Sequence, residues 1–416
     1  MVEGSKAGIG FPTVFLLLGE RAADALARPA AEGVYVARIG LNALALYTGA
    51  TFRNAGVSRY TTRLIEALLH EPAAHEYRIF LNPRAERLPF EDAPHARFAR
   101  TRWPTHRTPI RIAWEQLMAP AQVAAARLDL THSFLNVAPL LAPGRHVVTV
   151  HDLSFVHVPE AHPRHRRWYL SLATRLSVGR AAAVLADSQA TKDDVVRLFG
   201  ADPARITVVY PGVEPDFHPR SGAALEAFRA THRLPARFVL FVGTLEPRKN
   251  VDVLVRAFAQ LRHAGAYAGE LVIVGGRGWG PLRLEALARE LGVAEHVRLV
   301  GYVRRAELPL WYTAAELMVY PSSYEGFGIP LLEAMASGTP VVASNRSSLP
   351  EVVGDAGITV DPRAVPRLAS VMAEALASTD RRDAMRARGL ARAQRFQWTA
   401  AAHACLSVYQ RVLNRR

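Results

Sequence analysis

Along most of the chain, short apolar runs alternate with stretches in which apolar positions recur every three or four residues. Val34 to Leu46 reads as a buried strand, followed by a loop of small residues from Thr48-Gly49-Ala50 to Asn54-Ala55-Gly56-Val57. A helix is predicted from Ser58 to about His70, with Tyr60, Leu64, Ile65, Leu68 and Leu69 on one face. Further apolar runs fall at Tyr77 to Leu81, Leu130 to Ser133, His146 to Val150, Ala183 to Ala186 and Ile206 to Val209. Strands alternating with helices indicate a mostly parallel sheet covered on both faces.

Between Tyr210 and Pro219 the rhythm is broken by Pro211, Gly212, Pro215 and Pro219, which marks a boundary. The alternation then restarts with strands at Phe238 to Gly243, Glu270 to Val274, Val297 to Gly301, Leu317 to Pro321, Pro340 to Ala343 and Gly357 to Val360. Gln397 to Arg416 is helical in character and carries Trp398, Leu406, Val408, Tyr409 and Leu413. At 416 residues the chain exceeds a comfortable single core, so two α/β domains in tandem are expected, with a ligand cleft between them. The divisions are an N-terminal extension over residues 1–33, to which no function is assigned, domains over 34–218 and 219–396, and a terminal helix over 397–416.

Composition narrows the partners only slightly. Half of the residues are hydrophobic and 21% are charged, which suits a globular protein. The net charge of +14 is spread over both halves and favours anionic partners: nucleotides, phosphorylated lipids, membrane surfaces or nucleic acid. Arginine far outnumbers lysine, so an arginine-rich proteome accounts for the same figure. Cys405 is the single cysteine, which rules out an intrachain disulfide and agrees with a reducing compartment. No run approaches the roughly 20 apolar residues that span a bilayer, and Val14 to Leu18 lacks the basic start of a signal peptide. A cytoplasmic location follows as the expectation.

Four segments carry candidate chemistry. In Ser322-Ser323-Tyr324-Glu325-Gly326-Phe327-Gly328-Ile329-Pro330-Leu331-Leu332-Glu333 a glycine-containing turn precedes a helix, with a carboxylate on each side. Backbone N–H groups at a helix start favour anions, and glycines allow close approach; as a bare pattern, Glu325 would serve equally as a helix cap. Phe241 to Asn250 ends a strand in Thr244-Leu245-Glu246-Pro247-Arg248-Lys249, whose adjacent cations suit a diphosphate or a solvated turn. Val147 to Phe155 is a buried strand ending in His151-Asp152, where Asp152 could orient the histidine or the pair could cap the next segment. Arg53 to Tyr60 centres on Gly56 and offers either a ligand loop or a helix start capped by Ser58. Arg97 to Arg111, with Trp103 and His106, and Arg164, Arg166 and Arg167 beside Trp168 are basic clusters. The first fits an anionic membrane, a phosphorylated acceptor, or a solvated loop and a helix that packs one tryptophan, and the second lies in the half expected to bind acceptor.

Taken together in this order, these motifs resemble glycosyltransferase family four, the group 1 transferases, over nearly the whole chain after residue 34. The resemblance includes the two glutamates separated by seven residues. It implies a GT-B fold, in which two Rossmann-like domains face each other across a cleft and the C-terminal helix crosses back to the N-domain. It also implies a nucleotide-sugar donor and retention of anomeric configuration. On the same resemblance Glu325 faces the transferred sugar and His151 contacts it. Glu333 binds the ribose, and the amides of Gly326, Phe327, Gly328 and Ile329 hold sugar hydroxyls or diphosphate. Gly56, Thr244, Arg248 and Lys249 complete the donor site; many relatives carry arginine where Thr244 stands, which puts the burden on Arg248 and Lys249. No Asp-x-Asp triplet or zinc spacing occurs, so a metal-independent reaction without a cofactor is expected. The subgroup resemblance of Gly243 to Asn250 and Ser344 to Glu351 points to mannosyl or rhamnosyl transfer in polysaccharide assembly. GDP-mannose is then the first donor and a UDP- or dTDP-sugar the second, with a saccharide or lipid-linked saccharide acceptor at the cytoplasmic membrane face. An epimerase or other enzyme on the same architecture, and a basic nucleic-acid-binding protein favoured by charge alone, are the rival readings.

Overall fold

The computed structural model describes residues 36–47, 56–72, 75–280 and 282–415. The sequence readings on residues 1–33 and on Arg53, Asn54 and Ala55 lie outside the described residues.

Two parallel sheets form the scaffold. The first has strand order β3-β2-β1-β4-β5-β6-β7, built from Arg38–Ala43 (β1), Glu76–Leu81 (β2), Ala96–Arg100 (β3), Leu130–Ser133 (β4), Arg145–Val150 (β5), Ala183–Ala186 (β6) and Ile206–Val208 (β7). In the second the order is β10-β9-β8-β11-β12-β13, from Phe238–Val242 (β8), Glu270–Val274 (β9), Val297–Gly301 (β10), Leu317–Tyr320 (β11), Val341–Ser344 (β12) and Ile358–Val360 (β13). Every ladder is parallel, so each strand needs a crossover; helices supply most of these, and loops alone link β2 to β3 and β4 to β5. Most strands are buried along their length, which is why they read as apolar runs.

Two readings need correction. The first strand is shorter than Val34 to Leu46, because the chain turns at Leu44, where the Leu46 N–H donates to the Ala43 carbonyl. Within the basic segment Arg97 to Arg111, Ala96–Arg100 is a strand rather than loop. It sits at the sheet edge, where arginines can point to water while Phe98 packs on Phe90. Further along that segment Trp103 is exposed, whereas Trp114 is buried against Phe80.

One continuous core fills the second domain around Phe241, Leu254, Phe258, Met318 and Leu332. The first domain's main core combines Ile39, Leu64, Ile79 and Leu185 with residues from the far end of the chain: Ala402, Cys405, Val408 and Tyr409 of the helix Trp398–Asn414. There Tyr409 and Thr149 hydroxyls bracket the buried His132 ring, at 2.6 and 2.7 Å. The two strands of chain that pass between domains lie side by side: the Val213 N–H donates to the Phe396 carbonyl at 3.0 Å. Gly212 has no room for a side chain, since a Cβ would lie 2.3 Å from the Trp398 nitrogen.

Candidate active site

In each sheet the strand order reverses once, between β1 and β4 and between β8 and β11, and ligands of such folds bind beyond the strand ends at that crevice. The second domain's crevice is built by two loops zipped together. Asn250, at a left-handed φ of 50°, donates its side-chain amide to the Pro321 carbonyl at 2.8 Å and to the Ser323 hydroxyl at 2.7 Å. The Ser323 N–H donates to the Arg248 carbonyl at 2.7 Å. This brings the residues following β8 against those following β11.

The zipped loops converge on one carboxylate oxygen. Glu325 Oε1 accepts from Arg248 at 2.8 Å, from Lys249 Nζ at 2.5 Å and from the Ser322 hydroxyl at 2.5 Å, and the Tyr320 hydroxyl lies 3.3 Å away. Burial would raise the Glu325 carboxyl, but the charges of Arg248 and Lys249 outweigh it and hold its pKa at about 2. Lys249 is pulled down to about 8, first by burial and next by Arg248, with Glu325 opposing both. Glu325 therefore does not cap the following helix; that place is taken by Gly328, at φ 108°, where a Cβ would strike Leu349. The Ser347 and Ser348 hydroxyls fasten the turn by donating to the Glu325 carbonyl at 2.6 and 3.0 Å. Phe327 points away into an aromatic cluster with Tyr210 and Phe396, leaving only its backbone near the turn. Ile329 opens the helix Ile329–Ala336. Thr244 stands against the loop after β9, its methyl 2.8 Å from where a Gly278 Cβ would sit.

Glu333 belongs to a second cluster. Its carboxylate accepts from Arg305 at 2.8 Å and from the Tyr312 hydroxyl at 3.0 Å, with Arg59 of the first domain 3.6 Å away. Arg305 also pairs with Glu214, which accepts from Arg63 at 2.8 Å, so the network runs from one domain through the linker to the other. Burial opposes ionisation of Glu214, but Arg305 and Arg63 prevail and lower its pKa.

His151 meets this assembly through its backbone. A Cβ on Gly326 would sit 2.2 Å from the His151 carbonyl oxygen, so that glycine is required by the close approach of the two domains. The Thr191 hydroxyl lies 3.3 Å from the His151 carbonyl and 3.4 Å from that of Gly326. The ring is turned inward, with Nδ1 2.7 Å from Asp187 and Nε2 2.7 Å from the Phe134 carbonyl. Burial disfavours its charge, yet Asp187 and then the Phe134 carbonyl outweigh that and raise its pKa. Asp187, not Asp152, orients the histidine; Asp152 instead accepts from the Ser154 N–H at 2.9 Å. Gly56 stands at the start of the helix Val57–His70 with φ 54°. Ser58 does not cap that helix, because its hydroxyl is bonded to the Tyr47 backbone at 2.8 Å.

Arg305, Glu214, Asp187, Ser322 and Tyr320 join the site without having stood out in the sequence. Arg305, Glu214 and Asp187 act through partners distant in sequence and Tyr320 is itself embedded in an apolar run, so only Ser322, inside the signature, offered a local signal. Across the seam, Glu351 accepts from the Gln189 and Ala190 N–H groups at 2.9 and 3.1 Å, at the start of the helix Gln189–Phe199. Tyr324 stacks on His157 at 4.5 Å. Among the described residues, no group of three or more His, Cys, Asp or Glu stands together as a metal site, and no helix is long and apolar enough to cross a membrane.

Comparison with known proteins agrees with this architecture. The profile "Glycosyl transferases group 1" matches residues 226–392, and "Glycosyltransferase Family 4" matches 54–217. O-antigen chain mannosyltransferase B of Escherichia coli is 33% identical over 367 residues, covering 85% of this chain and 96% of that protein. D-inositol 3-phosphate glycosyltransferase of Xylanimonas cellulosilytica is 38% identical over 250 residues, covering 58% of this chain and 59% of that protein. Among solved structures, sucrose-phosphate synthase from Thermosynechococcus elongatus superposes with a TM-score of 0.72 at 25% identity, over 90% of this chain and 98% of that one. WaaG, a glycosyltransferase involved in lipopolysaccharide biosynthesis, gives 0.70 at 20% identity, over 89% of this chain and 99% of that one. The two-domain fold, the paired signature and a relative matched almost end to end make this chain a member of the group 1 glycosyltransferases, family four, and an enzyme of glycosyl transfer on a GT-B fold.

Proposed function

We propose that the enzyme transfers a hexosyl group, mannose first, from a nucleotide-sugar to a saccharide or lipid-linked saccharide acceptor, with retention and without a metal ion. GDP-mannose is the preferred donor and a UDP- or dTDP-sugar the alternative. The observation that carries this reading is the buried Glu325 held ionised between Arg248 and Lys249 at the second domain's crevice.

Breaking a sugar–diphosphate bond creates positive charge on the sugar ring and negative charge on the departing diphosphate. A fixed carboxylate and two fixed cations answer both, and they act strongly because the site is shielded from water. The diphosphate enters beside Arg248 and Lys249, the sugar lies towards Glu325 and the Gly326 to Ile329 amides, and Glu333 takes the ribose in exchange for one arginine contact. His151 reaches the sugar by passing its Nε2–H from the Phe134 carbonyl to a hydroxyl. The acceptor oxygen attacks from the face the diphosphate leaves, and its proton passes to the departing phosphate. The near full-length likeness to an O-antigen mannosyltransferase supports mannose and polysaccharide assembly. Trp168, Leu172 and Leu176, exposed at a spacing of four on the helix Arg164–Arg180, support peripheral contact with the cytoplasmic membrane face.

Calorimetric titration of GDP, UDP and dTDP, beside Glu333→Ala and Lys249→Ala, tests the assignment. Selective binding of one nucleotide, weakened in both variants, is expected. Failure of all three to bind folded protein would sink it.

A further inference from the structure

Tyr324 stands beside Glu325 in the chain, yet its side chain is seated in the other domain. Its ring stacks on His157 with centroids 4.5 Å apart and planes 22° from parallel. Its hydroxyl accepts from the Leu153 N–H at 3.0 Å and donates to Asp194 Oδ2 at 3.1 Å. That carboxylate oxygen also lies 2.8 Å from His157 Nε2, and Arg197 pairs with the other one. Leu153 precedes and His157 ends the short helix Ser154–His157, and Asp194 lies on the helix Gln189–Phe199. Three points of the first domain thus hold one side chain of the second.

The backbone of the same residue is built into the cation cluster. The Tyr324 carbonyl accepts from Arg248 at 2.8 Å, and the Ser322 hydroxyl lies 3.3 Å from it. Tyr324 therefore joins the residues that hold Glu325 to the segment that carries His151. Leu153 comes two residues after His151, and Glu325 directly follows Tyr324. Other polar contacts across the seam are placed differently. Glu351 receives the Gln189 and Ala190 N–H groups at a helix start, and Arg63 reaches Glu214 in the linker. The Thr191 hydroxyl, 3.3 Å from the His151 carbonyl and 3.4 Å from that of Gly326, has one proton to share between them.

Burial gives the Tyr324 bonds their weight. Tyr324 is 8% exposed and Leu153 is fully buried, so neither group can turn to water when its partner is lost. Burial, with Asp152 adding to it, pushes the phenol pKa up, so the hydroxyl keeps its proton and remains the donor to Asp194. Ring stacking alone tolerates sliding. One accepted and one donated bond at the ring's tip fix both its depth and its direction.

We infer that Tyr324 is a positioning residue for glycosyl transfer: its hydroxyl, pinned between the Leu153 N–H and Asp194, sets the register of Glu325 against His151 across the cleft. The inference rests on the glycosyl-transfer reading above. Tyr324 touches no reacting atom. It holds the two walls of the sugar slot in place, and an error of about 1 Å at such a site costs roughly a hundredfold in rate. A nucleotide held by the second domain alone should not feel the loss.

The test uses the full chain carrying Tyr324→Phe, Asp194→Ala and the two together. GDP, UDP and dTDP are titrated by calorimetry. Turnover is read as nucleoside diphosphate released in water from GDP-mannose, UDP-glucose and dTDP-rhamnose, which needs no other acceptor. Tyr324→Phe is expected to lower kcat roughly ten- to a hundredfold, with KM and nucleotide affinity within about twofold of native. Its melting temperature should stay within a few degrees. The double variant should be no worse than Tyr324→Phe, because both changes break one connection. Amide exchange gives a second readout, and it decides alone where water accepts too slowly to follow. Bound nucleoside diphosphate should slow exchange over residues 150–155 in the native protein and not in Tyr324→Phe. Native kcat in Tyr324→Phe, additive losses, or nucleotide-dependent protection that survives the substitution overturns the pin while leaving glycosyl transfer intact. Nucleotide affinity lost together with turnover overturns it as well, and puts Tyr324 in the donor site itself. A native protein that binds none of the three nucleotides fails the glycosyl-transfer reading.

Discussion

The two crevices of this enzyme occupy equivalent places in their sheets and handle charge in opposite ways. Beyond β8 and β11, Arg248 and Lys249 are buried and already matched to Glu325, so the charges are fixed before any ligand arrives. Beyond β1 and β4, Arg84, Arg107 and Arg166 are exposed and line a cavity of about 600 Å³ whose described lining residues include no carboxylate. The first arrangement suits a site that must stabilise charge as a bond breaks, because a preorganised ion cluster needs no rearrangement at that moment. The second suits recognition, since its charge is completed only by the ligand. A shared fold position therefore does not dictate shared chemistry; the partners of the cations do.

The largest expected effect breaks the matched cluster. Glu325→Gln or Lys249→Met should lower turnover roughly a hundred- to a thousandfold. Glu325→Gln should also cost about 3–5 kcal/mol of stability, because it leaves Lys249 buried without its carboxylate, whereas Lys249→Met should cost less, since Glu325 keeps Arg248. The double variant should regain much of that stability and none of the turnover, read by denaturation and by transfer assay. Arg166→Gln in the other crevice should stay within about 0.5 kcal/mol of the native protein. Equal losses at the two sites would erase the contrast.

Next in size is Gly326→Ala. The added methyl would meet the His151 carbonyl, so the domains must part, and a displacement of about 1 Å at a reaction centre can cost roughly a hundredfold in turnover. Normal turnover, with unchanged scattering in solution, would show that the contact is dispensable.

Dependence on pH gives a sharper, smaller separation. Lys249 is charged below about 8 and loses its proton above it, so nucleoside diphosphate affinity should fall as pH rises through that value. In the unfolded chain the lysine keeps its proton up to its ordinary 10.5, so unfolded protein binds more protons between about 8 and 10.5. The group's contribution to stability accordingly rises with pH over that window. Any anion held by Arg84, Arg107 and Arg166 in the other crevice should bind with a flat profile there, because arginine does not titrate. Identical profiles would mean that Lys249 does not contact the diphosphate.

Smallest of all, Glu351→Gln should remove the carboxylate from the start of the helix Gln189–Phe199 at a cost of about 0.3–1 kcal/mol. A thermal shift beyond a few degrees would show that the seam depends on it more than helix-end electrostatics explain.

The parallel sheets were legible because buried strands such as Phe238–Val242 and Glu270–Val274 leave apolar runs with little else to become. Ala96–Arg100 escaped, since an edge strand tolerates the arginines that signal loop elsewhere. In the site, Arg248, Lys249 and Glu325 stood out from local patterns alone. Their convergence on one oxygen did not, because it depends on Asn250 clamping two loops more than 70 residues apart. For Asp152 the sequence left two roles open, and the structure gives it the second, at the start of the next segment; the orienting Asp187 comes from the adjacent strand's end, and strand adjacency is not written locally.

Because the helix Trp398–Asn414 completes the first domain's core, that domain is discontinuous, with the whole second domain inserted between its parts. During synthesis the first half of the chain emerges without Tyr409 to bond His132 or Cys405 and Val408 to seal the sheet. The second domain is continuous in sequence and can mature as a unit first. The arginine crevice, although encoded early, gains its fully supported scaffold only when this helix docks, so the first domain's half of the cleft is the last part of the enzyme to be completed.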